Sequence, residues 1–194
     1  MDDIVKQAMA KWPNVPHAYG WLGLDARGNW FLRDAQAQAQ GSFASGAPGA
    51  KGSRIEHEKL IDFIQRNYDH DAQGQWFFQN GPQRVYVELE ATPWVWRVAE
   101  DGSIKSHTGQ AVQARRTLID EEGRVFVETE LGLGLVHTQD MLHVAEAMER
   151  GQWSAGSTPE TMKAADLPKR FAYVPSPQAV HEASQKASGP ADQA

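Results

Sequence analysis

The chain has 194 residues, with 19 Lys and Arg against 25 Asp and Glu, a formal charge of −6 and no Cys. At 41% hydrophobic and 23% charged residues it has the composition of a globular protein able to bury a core, which excludes wholesale disorder. The missing Cys excludes disulfide frameworks, thiolate metal sites and cysteine nucleophiles. Net acidity argues against nucleic acid as a partner, since the one tight basic doublet is Arg115 and Arg116. The start MDDIVKQAMAKW is acidic and has no unbroken apolar run, and no window reaches the ~18 apolar residues of a membrane span. A cytoplasmic protein with no membrane partner is expected.

Along the chain, DARGNWFLR at 25–33 and DAQGQWFFQ at 71–79 repeat Asp, Ala, Gly, Trp and Phe in register, and DEEGRVFVE at 120–128 keeps the Asp, Gly and Phe. The pattern predicts a turn: Asp accepts nearby backbone N–H groups, Gly takes positive φ, and an aromatic or β-branched strand follows. Gly28, Gly74 and Gly123 are expected in the left-handed region, and Asp101-Gly102 predicts a related hairpin. Trp30 and Trp76, equivalent in the repeats, are expected as core aromatics. The stretch 35–52, rich in Ala, Gln, Gly and Ser, reads as a flexible loop. Ser53 and Glu56 form a capping box that predicts a helix with Ile55, Leu60, Ile61, Phe63 and Ile64 on its apolar face. In RVYVELEA, Val85, Val87 and Leu89 alternate with Tyr86, Glu88 and Glu90, the pattern of a half-buried strand, with Pro93 marking a bend after it. Met141, Val144, Ala145 and Met148 predict a helix over 139–150 capped by Thr138 and ended by Gly151, and Thr158 with Pro159 predicts a short one. The expected fold class is α+β, two β-rich lobes of antiparallel strands with two principal helices. An N-terminal segment and first hairpin (1–34), the loop (35–52) and a helix plus sheet (53–100) make the first lobe. The second lobe takes 101–175, and 176–194 is expected as a disordered tail.

The succession of a W-F strand, the helix GSRIEHEKLIDFI, the hairpin DAQGQWFFQN and the strand RVYVELEATPWVW is similar to an uncharacterised proteobacterial domain-of-unknown-function family. The resemblance covers residues 20–100 and extends toward 175. It implies a compact α+β fold of two β-rich lobes and brings no activity, cofactor or functional residue. The 35–52 loop departs from the family's pattern.

For chemistry, His57-Glu58 would begin a metalloprotease helix only with a second His at 61, where Ile stands. Asp69, His70 and Asp71 are adjacent, and Asp71 already serves a turn. Glu88 and Glu90 share a strand face, but Arg84 and Arg97 make a cross-strand ion-pair ladder the simpler expectation. LGLGLVHTQD places Gly-x-Gly before a helix, yet His137 occupies the third glycine's position, so a dinucleotide turn is not expected. No Ser sits in a nucleophile motif, so neither catalytic residues nor metal ligands are assigned and no cofactor follows. Two features suggest recognition. Trp94 and Trp96, in a chain with seven Trp, put two rings on one strand face, and His137 with Thr138 opens a helix whose N–H groups suit an anion. The expected function is thus a non-catalytic accessory module binding a small anionic ligand or a protein partner through Trp94, Trp96, His137 and Thr138. The alternative is a divalent-metal-dependent hydrolase or transferase using His57, His70, His107 or His137.

Overall fold

The structure is a computed structural model, described here for residues 1–156 and 158–188. Its strands and helices form an α+β fold with two sheets. Among the described residues no helix is long and apolar enough to cross a membrane.

The first unit comprises Met1–Gly23, Trp30–Glu90 and the chain from Val174 onward. It begins with α1 (Asp3–Lys11), β1 (Ala18–Leu24), β2 (Trp30–Leu32) and the short α2 (Ala35–Ala39). There follow β3 (Ser53–Arg54), α3 (Glu58–Arg66), β4 (Tyr68–His70), β5 (Trp76–Asn80) and β6 (Gln83–Leu89). Its six-stranded sheet has the order β3-β2-β1-β6-β5-β4. Trp30 and Trp76 are buried and both contact Tyr68, whose ring lies edge-on to the first and tilted on the second.

The second unit comprises Leu24–Asn29 and Ala91–Tyr173. Its strands are β7 (Trp94–Val98), β8 (Ile104–Ser106), β9 (Ala111–Val112), β10 (Arg116–Ile119), β11 (Val125–Thr129) and β12 (Gly132–Val136). Helix α4 (Met141–Glu149), strand β13 (Glu160–Thr161) and helix α5 (Leu167–Arg170) complete it. The seven-stranded sheet, β13-β10-β11-β12-β7-β8-β9, is antiparallel except where β7 runs parallel to β12 and β13 to β10. The observed division falls at 90/91 rather than 100/101, and the first turn, 24–29, groups with the second unit.

Each repeat closes by one hydrogen-bond pattern. Asp25 Oδ1 accepts the N–H of Arg27 and of Asn29, Asp71 Oδ1 those of Gln73 and Gln75, and Asp120 Oδ1 those of Glu122 and Arg124. The fourth residue after each Asp also donates from its side chain to Oδ2: Asn29 at 2.9 Å, Gln75 at 3.1 Å and Arg124 at 2.7 Å. Gly28, Gly74 and Gly123 sit at φ of 82°, 77° and 76°.

Several expectations are corrected. Ser53 does not cap a helix, because Ser53–Arg54 pair with Phe31 and Leu32 as β3; α3 starts at Glu58, with His57 Nδ1 accepting the Leu60 N–H. Residues 158–161 lead into β13 rather than a helix. The 35–52 stretch holds α2 and is tied down by Arg33, whose buried guanidinium donates to the carbonyls of Gly20, Gly41 and Ala50. The part of the tail from Pro177 to Ser188 is helix α6, and 189–194 lie outside the described residues. Both faces of β6 are buried toward its end, since Tyr86 and Glu88 are as inaccessible as Val87 and Leu89.

Candidate functional site

Trp94 and Trp96 do share a face, stacked at 5.9 Å with planes 10° apart, but they are 5% and 0% exposed. Their indole N–H groups donate to the carbonyls of Leu131 and Val127, both at 2.8 Å. The parallel register sets Gly134 opposite Trp94 and Val136 opposite Trp96, and the glycines of β12 leave room for the rings. The Gly-x-Gly of LGLGLV is therefore a floor for two tryptophans, and the expected aromatic contact surface is replaced by core.

His137 is buried and Thr138 exposed. His137, not Thr138, caps the single 3₁₀ turn Thr138–Asp140 that precedes α4, its Nδ1 accepting the Gln139 N–H at 3.2 Å. Burial and the nearby Arg97 guanidinium hold its pKa below the ordinary histidine value. The Asp140 carboxylate occupies the same turn, accepting from Arg97 Nε at 2.6 Å and from the Val98 N–H at 3.0 Å. A spent N–H and a fixed carboxylate make this turn a poor anion site. Arg97 is thus not in a ladder with Glu88 and Glu90. Glu90 pairs with Lys51 at 2.7 Å, while buried Glu88 accepts from the Ser176 hydroxyl and the Gln178 N–H at the start of α6.

The four histidines of the enzyme alternative are divided between the two units. His57 and His70 belong to the first unit and His107 and His137 to the second. Among the described residues no group of three or more His, Asp or Glu is placed to hold a metal ion. His107 accepts the Val95 N–H through Nδ1, and burial lowers its pKa to about 3, so it stays neutral at any ordinary pH.

The sequence reading missed an apolar groove of about 440 Å³ in the first unit. Helix α3 walls it with Leu60 and Ile64, β1 contributes Ala18, Trp21 and Leu22, and β5 and β6 contribute Phe78 and Val85. Leu32 and Ile55 also line it, as do Asn80 and Gln83, cross-strand partners at the β5–β6 turn. Leu22, Ile64 and Phe78 are buried, whereas Trp21, Leu32 and Leu60 are 46%, 55% and 41% exposed. None of the lining residues carries a charge. Gln83 Nε2 donates to the Pro16 carbonyl at 2.9 Å, and Asn80 is exposed. The sequence signal lay in the helix stripe, whose Leu60 is left 41% exposed beside the groove. Concave apolar sites of about 300–1,000 Å³ with a few placed polar groups are the usual form of small-molecule sites.

Residues 1–178 match the family model described as Protein of unknown function (DUF2946). No curated protein matches the chain. Among solved structures, it is similar to a DUF1285 family protein from Silicibacter pomeroyi DSS-3, with 15% identity and a TM-score of 0.49 over 86% of this chain and 98% of that one. A DUF1285 family protein from Shewanella baltica OS155 shows 14% identity and a TM-score of 0.42 over 65% and 91%.

Proposed function

Since the chain belongs to the family described as Protein of unknown function (DUF2946), which supplies no activity, we propose from the groove itself that it is a non-catalytic recognition module whose first unit binds an uncharged apolar ligand. The observation that carries this reading is a groove of about 440 Å³ with an uncharged lining and three large apolar side chains left open to solvent at its walls. Water against Trp21, Leu32 and Leu60 is unfavourable, and burying a full Leu side chain contributes about 1.5–3 kcal/mol. An ionised group in the groove would lose hydration without a counter-charge, so the favoured occupant is neutral. Recognition rather than catalysis fits a groove whose lining offers no titratable side chain.

Methyl NMR under xenon pressure tests the reading, because xenon enters apolar cavities without regard to ligand shape. The expected result is saturable shifts of the Leu32, Ile55, Leu60 and Ile64 methyls, with the methyls around Trp94 and Trp96 unmoved. Groove methyls that do not respond would sink the proposal.

A further inference from the structure

We propose that α6 is a strap: it lifts from β1 and β6 as a unit while the first sheet stays folded, and Glu88 is the latch that governs it. The helix has 12 residues, and a helix of about that length is marginal in water without packing. Packing supplies little here. From Pro177 to Ala187 only Pro177 is buried, and Val180 is 45% exposed. The attachments gather at the start of the helix, where Ser176 and the Gln178 N–H donate to Glu88 and Gln178 Oε1 accepts from Arg33 Nη1 at 3.3 Å. One turn on, His181 lies flat against Tyr19 with ring planes 5° apart. An element held by few buried apolar side chains opens at a lower free energy than the core it rests on. The chain just before it is pinned instead. The Val174 N–H donates to the Gly74 carbonyl at 3.0 Å, and the Pro175 carbonyl accepts the Leu89 N–H at 2.8 Å. The hinge therefore falls at Ser176–Pro177.

Lifting bares one face of the Tyr19 ring and opens the polar recess of about 270 Å³ that Gln38, Gly41 and Ser42 form with the start of α6. Arg33 loses Gln178 but keeps the carbonyls of Gly20, Gly41 and Ala50, so the guanidinium stays paired. Glu88 gains water. Burial, the largest influence on its carboxyl, and the Glu182 carboxylate on α6 both disfavour the charged form, while Ser176, the Gln178 N–H and Arg33 favour it; the net displacement of its pKa is upward. An ionised Glu88 is therefore better accommodated with the strap lifted, and rising pH favours lifting. Val85 lines the groove, whereas Tyr86 and Glu88 point to the other face of β6, so the strap is independent of the groove reading.

Hydrogen exchange of the full chain read by mass spectrometry, corrected for the pH dependence of intrinsic exchange, tests the inference. The amides of α6 are expected to exchange together and faster than those of β5 and β6. Their opening constant is expected to rise by up to about tenfold per pH unit above pH 4.5 and to level off once the folded Glu88 value is passed. Glu88→Gln should flatten that rise. His181→Ala, which removes the stack and disturbs no buried charge, should speed α6 exchange severalfold, leave β5 and β6 unchanged and keep the pH dependence; it decides the strap even where Glu88→Gln does not fold. Exchange of α6 at the rate of the sheet would make the helix part of the core and overturn the strap. A pH rise that survives Glu88→Gln, or that disappears in His181→Ala, would overturn the latch.

Discussion

A Cβ added to Gly134 would collide with the Trp96 indole and come within 2.8 Å of Trp94 Cβ, and neither ring can retreat while its N–H is held by a β11 or β12-edge carbonyl. Gly134→Ala should therefore cost about 1–3 kcal/mol, the range for overpacking a tight core, read as a lower Tm by thermal denaturation. Gly74 is a different case, because its constraint is the backbone. At φ of 77° a β-branched residue is strained, so Gly74→Val should destabilise by about 2 kcal/mol and Gly74→Asn by clearly less. An equal loss for Asn and Val would mean that space rather than φ governs the turn. The same turns show how far local reading reaches. Asp, Gly and the following aromatic announce them in nine residues, and the side-chain donor at the fourth position, Asn29, Gln75 or Arg124, lies within the same window but varies in type, so identity matching passes over it.

Helix α6 shows the limit at the scale of elements. Its composition reads as tail, yet Ser176 caps it by accepting the Ala179 N–H at 3.2 Å, and Glu88 accepts from Ser176 and Gln178 from 88 and 90 residues away. His181 stacks on Tyr19 at 4.0 Å, fastening the helix one turn later. Ser176→Ala should cost about 1 kcal/mol of cap energy, with amide exchange in α6 faster by about fivefold. Glu88 pays for this position by desolvation, which outweighs the hydrogen bonds from Ser176 and Gln178 and raises its pKa. Its folded pKa lies above the unfolded one, so its contribution is fully present below the unfolded value, near 4.5, and is lost as pH rises through the folded value. Glu88→Gln should remove that slope. The stability difference between variant and wild type is expected to be flat below pH 4.5 and to move in favour of Gln above it, measured by chemical denaturation across pH. A difference that does not change with pH would contradict a raised Glu88.

Over the whole molecule His107 imposes the opposite dependence. Burial depresses its pKa from 6.5 to about 3, so the stability tied to its neutral form is present above pH 6.5 and is lost as pH falls from 6.5 toward 3. His107→Gln should flatten the acid limb of the stability curve between those values, and an acid limb identical to wild type would assign the loss to carboxylates instead. The α+β class, the three Asp–Gly hairpin turns, the core placement of Trp30 and Trp76 and membership in a family of unknown function are all legible in the residues. Each of the turns rests on bonds between residues two to four apart, which a short window contains. That Trp94 and Trp96 are core, that Glu88 anchors a helix, and that the stripe of α3 borders an open groove emerges from long-range packing. Those outcomes depend on which surface arrives from a distant stretch of chain to cover a side chain, and alternation or helical spacing records that a face is apolar without recording what, if anything, packs against it.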